Sequence, residues 1–115
     1  MLTEIRALHL QLTEALRSHV LRRVDFALGQ FGEHVRAVHA RLLDLNGPHG
    51  GVDKLCVVTV ETRGLRPIRA QAVHSNLYAA IDEATGIAGR RIARALERRR
   101  ERRVDAGRSH KRRIK

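Results

Sequence analysis

Aromatic rings are scarce in this chain: its 115 residues include two Phe, one Tyr and no Trp. So few rings argue against a protein that reads RNA by stacking bases on aromatic platforms. Cysteine is scarcer still, with Cys56 alone. One cysteine excludes an internal disulfide framework and a multi-cysteine zinc site, and a reducing cytoplasm is the default location. No uninterrupted apolar run approaches the ~18 residues of a membrane span, and no signal-peptide pattern opens the chain. No membrane partner is expected. Acidic residues are also few, with 12 Asp and Glu against 23 Lys and Arg, for a net charge of +11. That excess points to a polyanionic partner, most simply nucleic acid. Hydrophobic residues make up 43% of the chain, enough for the modest core of one domain.

The charge is concentrated. Residues 1–89 hold ten Lys and Arg against nine Asp and Glu, a net of +1; residues 90–115 hold thirteen against three, a net of +10. Nearly all the cations are arginine, which suits bidentate phosphate contact better than lysine. A near-neutral folded body, residues 1–103, is therefore expected to carry a basic, flexible tail over residues 104–115, where Gly107, Ser109 and like charges oppose packing.

The apolar pattern predicts six elements. Met1 to Leu10 reads as a strand of poor period. Leu16, Val20, Val24, Ala27, Leu28 and Phe31 recur at helical spacing, with Thr13 as N-cap and Gly32 as the residue after the helix. From His34 the period becomes two, placing Val38, Ala40 and Leu42 on one face and His39 and Arg41 on the other. Asn46 to Gly51 is a glycine-rich connection. It has no Walker lysine and no following helix, so a hairpin link is expected rather than a phosphate cradle. Leu55 to Thr62 is the clearest strand, and Ile68 to Ala72 alternates as another. Ser75 then caps a long helix striped by Leu77, Ile81, Ala84, Ala88, Ile92 and Ala95, running to about Arg103. The class is α+β, in the order β-α-β-β-β-α. Two roughly parallel helices should cover one face of a four-stranded sheet, and the last three strands should form an antiparallel meander. Arg22, Arg90 and Arg94 should then face away from the sheet.

Chemistry other than charge finds little support. None of the seven histidines forms a His-x-x-x-His pair with a supporting carboxylate. His34 and His39 should fall on opposite faces, so no metal or cofactor is expected, and the histidines read as surface groups. Cys56 should be buried in the central strand with no neighbouring base, Asp82 and Glu83 cannot face one another, and Tyr78 should pack at the helix–sheet edge. No enzyme activity and no small-molecule substrate are expected.

Three stretches, Leu12–Val24 (LTEALRSHVLRRV), His34–Leu42 (HVRAVHARL) and Asn76–Ala84 (NLYAAIDEA), resemble the ribosome hibernation promoting factor and ribosome-associated translation inhibitor family, also called the sigma-54 modulation protein family. The likeness covers about residues 1–98 in the same order, and the chain looks like a short form with a basic extension. The resemblance implies a β-α-β-β-β-α fold that binds the small ribosomal subunit where mRNA and tRNAs sit, with basic residues of both helices on rRNA phosphates. It implies a cytoplasmic protein, monomeric off the ribosome, that silences translation under stress. The family's tandem basic pair falls on Arg22 and Arg23, and the basic positions of its second helix fall on Arg90 and Arg94. Phe26 and Ile87 stand where members often carry basic residues. Arg91, Arg98, Arg99 and Arg102 complete the expected rRNA-binding set, and the Arg-rich stretch Arg98–Arg103 with the tail to Lys115 is expected to compensate for those losses.

Two other readings fit the composition. One is a general RNA- or DNA-binding protein acting through the Arg-rich arm, with a double-stranded RNA-binding domain as a variant that the extra first strand disfavours. The other is an interaction module whose arm seeks an acidic surface on a partner protein such as a polymerase subunit.

Overall fold

The structure is a computed structural model. It describes residues 1–46 and 52–114, with side chains through 106, so the glycine-rich connection lies outside the described residues from Gly47 to Gly51. The elements are β1 (Leu2–Leu8), α1 (Glu14–Leu28), a 3₁₀ turn (Gly29–Phe31), β2 (Val35–Asp44), β3 (Lys54–Thr62), β4 (Ile68–His74) and α2 (Leu77–Ile114). Class and order match the expectation from the sequence.

The sheet order is β1-β2-β3-β4. β1 runs parallel to β2, which requires a crossover, and α1 supplies it. The other two pairings are antiparallel, as the short links demand. Three cross-strand rows face the helices: Thr3-Val38-Val60-Ile68, Ile5-Ala40-Val58-Ala70 and Ala7-Leu42-Cys56-Ala72. Leu16, Val20, Val24 and Leu28 of α1 are buried against this face, with Ala80, Ile81, Ala84, Ala88 and Ile92 of α2. The weak period of β1 has a simple cause. Leu2 and Leu8 point to the uncovered face and Ile5 to the core, so both faces carry apolar residues.

Helix ends refine the reading. Thr13 caps α1 as expected, its Oγ1 accepting from the Leu16 amide at 3.2 Å. The other end differs: α1 stops at Leu28, and Gly29 and Gly32 both keep right-handed backbone angles, φ −58° and −53°. Gly32 is therefore not a left-handed cap, because the chain tightens into a 3₁₀ turn instead. Asn76, not Ser75, starts α2. Its Oδ1 accepts from the Tyr78 amide at 2.9 Å and its carbonyl from Ala80 at 3.1 Å. Asn is as good a cap as Ser and stands one residue nearer the helix. α2 also continues past Arg103 to Ile114. Arginine favours helix, and Glu97 and Glu101 sit three residues from Arg94, Arg98 and Arg100, where they offset like charges. The long helix gives the molecule a longest dimension of 69 Å.

Candidate nucleic-acid interface

The two helices lie side by side and parallel: His19 meets Asp82, and further along both, Ala27 meets Gly89. The approach at Gly89 is close, since a Cβ there would lie 2.8 Å from the Ala27 carbonyl oxygen. Beside this contact runs a groove of about 400 Å³, lined by Arg23, Phe26 and Gln30 from the α1 side and by Gly86, Gly89, Arg90 and Ala93 from α2.

Two of the expected phosphate-binding residues thus share one groove. Arg23 is half-buried, with Nε 3.3 Å from Asp82 Oδ1, within ion-pair range but not aimed as a hydrogen bond. Its guanidinium carbon lies 5.0 Å from the centroid of the Phe26 ring. Arg22 is exposed on α1 one turn before Phe26, opposite the buried stripe. Arg90, Arg94, Arg98 and Arg102 are exposed along α2 at four-residue spacing, with Arg98 Nε donating to the Arg94 carbonyl at 3.4 Å.

Arg91 and Arg99 are placed differently. Arg91 donates to the Arg69 carbonyl on the edge strand β4. Arg99 Nη1 donates to the Arg63 carbonyl at 2.9 Å, and its Nη2 lies 3.4 Å from His34 Nδ1. Both fasten α2 to the β4 side of the sheet and satisfy carbonyls of an edge and a turn. The turn accommodates this through Gly64, which has φ +75° and whose Cβ, if present, would crowd Arg99 Nη1 at 3.0 Å. The arginine-rich sequence from Arg90 to Arg103 carries no sign of this division.

The histidines are more engaged than their sequence context suggested. His19 Nε2 lies 2.6 Å from Asp82 Oδ1 across the helix pair, and His74 pairs closely with Glu83. On the uncovered sheet face, His39 sits between Glu4 at 2.9 Å and Glu61 at 3.3 Å. Tyr78 meets the His19 ring edge-on at 4.9 Å, so it packs at the helix–helix seam rather than the helix–sheet edge. The missed partners lie as much as 65 residues apart along the chain, and no local motif links them. Lys54 pairs with the buried Asp53 and with Asp44, at 3.1 and 3.2 Å, and these carboxylates hold its ammonium above its usual pKa, Asp53 most strongly.

Cys56 is buried in β3, and burial pushes its thiol up to about 12, which suits a core residue and not a nucleophile. Among the described residues no cluster of three or more His, Cys, Asp or Glu could hold a metal ion, and no helix is long and apolar enough to cross a membrane.

Solved structures that share this architecture include the following two. A ribosomal subunit interface protein from Coxiella burnetii is 15% identical with a TM-score of 0.72, the match covering 84% of this chain and 99% of that one. The N-terminal domain of Protein Y from Thermus thermophilus is 19% identical with a TM-score of 0.66, the match covering 78% of this chain and 92% of that one. At these identities the likeness shows the fold. Among curated proteins none matches the sequence. Residues 3–100, most of the chain, match one family, and on that match the chain belongs to the sigma 54 modulation protein / S30EA ribosomal protein family.

Proposed function

We propose that this chain is a ribosome-associated factor that occupies the mRNA and tRNA channel of the small subunit and blocks translation under stress. The observation that carries the reading is the paired-helix face, where Arg23 and Arg90 line one groove and Arg22 and Arg94 stand exposed on the same two helices, in a chain of this family. The names of the two structural neighbours, a ribosomal subunit interface protein and Protein Y, support it.

The mechanism is occlusion. The folded body fills space that mRNA and tRNA need. Arg22, Arg23, Arg90 and Arg94 take rRNA phosphates from two helices, and a rigid two-element surface fits a shaped site better than one floppy segment does. Arg98 and Arg102 extend the phosphate row along α2. Arg91 and Arg99 add contacts through the N–H donors that the backbone carbonyls leave free. No cofactor takes part.

Sedimentation tests this. The full chain should co-migrate with small subunits and with whole ribosomes, not with large subunits, and should stay bound at moderate salt. The Arg90→Glu, Arg94→Glu double variant should lose that binding, and unchanged binding would exclude the helix-face arrangement. The second reading, a general nucleic-acid binder, is favoured by the net +10 of residues 90–115, which follow one another along and just past a single helix that runs to Ile114. With about six phosphate contacts its log K should fall with log salt at a slope of about −4 to −5, on any RNA particle alike.

A further inference from the structure

We propose that the groove between α1 and α2 holds one unpaired nucleobase, stacked on Phe26 and flanked by Arg23 and Arg90. The site deepens the ribosome-binding reading and rests on it.

Phe26 is the reason to look here. It is 77% exposed, the most exposed large hydrophobic among the described residues, and it packs against nothing in the core. Its neighbours are cations: Arg22 and Arg23 stand on the same helix and Arg90 across the groove. The ring is not isolated. Arg23 lies over it, and Arg23 is itself held by Asp82. A nucleobase stacked there meets a π-face and a guanidinium already in position, with Arg22 and Arg90 near enough for the adjoining phosphates.

The groove has room because of Gly86. A Cβ at Gly89 collides with α1, so that glycine sets how near the helices come. A Cβ at Gly86 meets nothing of α1 and only the Arg90 guanidinium, at 3.4 Å. Neither a turn nor helix packing therefore requires glycine at 86, although it weakens a helix relative to alanine. What it does is leave the groove open beside Phe26. Gln30, exposed on the groove wall, offers both a donor and an acceptor for a base edge. The scarcity of rings argued against an array of stacking platforms; one ring in a cationic groove serves one splayed base. The base must be unpaired, because a duplex hides its faces.

The chain has no tryptophan, so Phe26→Trp places a single tryptophan in the groove, excited selectively over Tyr78. Full-length Phe26→Trp is titrated with a short oligoadenylate, with an RNA duplex of equal length, and with purified small subunits. Saturable quenching by oligoadenylate and by subunits, but not by duplex, is the expected result. Phe26→Ala should weaken small-subunit binding by roughly 5- to 150-fold, Phe26→Trp should retain it, and Gly86→Leu, with Phe26 intact, should reproduce the loss. Circular dichroism confirms that each variant folds. Unchanged emission on bound subunits, equal quenching by duplex, or full affinity in Phe26→Ala overturns the base site. A blue shift without quenching also overturns it, since that marks an apolar protein contact. If Arg90→Glu, Arg94→Glu abolishes binding while Phe26→Ala keeps full affinity, only the base site falls. If the unmodified chain ignores small subunits, the ribosome reading falls and the base site with it.

Discussion

Arg90, Arg94 and Arg98 stand in water along α2, whereas Arg91 and Arg99, from the same run, reach back to carbonyls at the β4 side of the sheet. Residue type and exposure barely separate the two groups. Position around the helix does. The outward row makes no hydrogen bond to the sheet, the one from Arg98 staying within α2, and the edge pair spends some donors holding α2 to the sheet. A cationic segment is thus two devices, one for binding and one for anchoring. Counting positive charges overstates the binding surface by merging them.

The largest test of that division is charge reversal in the outward row. Arg90→Glu with Arg94→Glu should weaken small-subunit binding by about 100-fold or more, roughly 3 kcal/mol, while the thermal midpoint moves by no more than a degree or two. A large fall in the midpoint would mean that the outward row is structural too. The groove itself can be altered without touching any arginine. Gly89→Ala pushes a methyl into the Ala27 carbonyl and should destabilise the fold by about 1–3 kcal/mol. Gly86→Ala should stabilise it by up to about 1 kcal/mol, because a good helix former replaces glycine in open space. Urea titration of both variants decides this, and equal effects would contradict the geometry between the helices.

Removing the edge pair should show the reverse pattern of the outward row. Arg91→Ala and Arg99→Ala should each cost about 1 kcal/mol of stability and reduce ribosome binding far less than Arg90→Glu, Arg94→Glu does. Binding losses as large as those of the outward row would erase the distinction. The smallest effect is expected in the core between them. Cys56 should resist thiol reagents in the folded protein near pH 8 and react on unfolding. Its folded thiol is pushed up to about 12 from 9.0, so the folded state keeps its proton longer than the unfolded chain. The associated stability is present below pH 9 and declines as pH rises from 9 towards 12. Prompt labelling of the native protein would show that β3 opens readily.

Much of this was legible in one dimension. The stripe Leu16, Val20, Val24, Leu28 and the alternation Val38, Ala40, Leu42 announce their elements because burial repeats at the period of the backbone. Thr13 was readable as a cap because capping is local. Ser75 against Asn76 was not, since two good caps stand side by side and the fold selects one. The end of α2 was also hidden: charge density suggested fraying after Arg103, while the helix runs on to Ile114 through a stretch that includes Arg108, Lys111, Arg112 and Arg113, all good helix formers.

The candidate interface divides in the same way. Its arginines were visible, and so was the prospect that two helices would present them together. The groove between Phe26 and Gly86 was not visible, nor were the Asp82 contacts to His19 and Arg23. Composition and periodicity are sums over local preference, and they were sufficient for the class, the element order and the charged surface, while the family likeness rested on three short stretches of sequence. Which arginine faces solvent and which faces the sheet depends on helix rotation, and the width of the groove on a single close contact at Gly89. Both arise only when residues far apart in the chain are packed against one another.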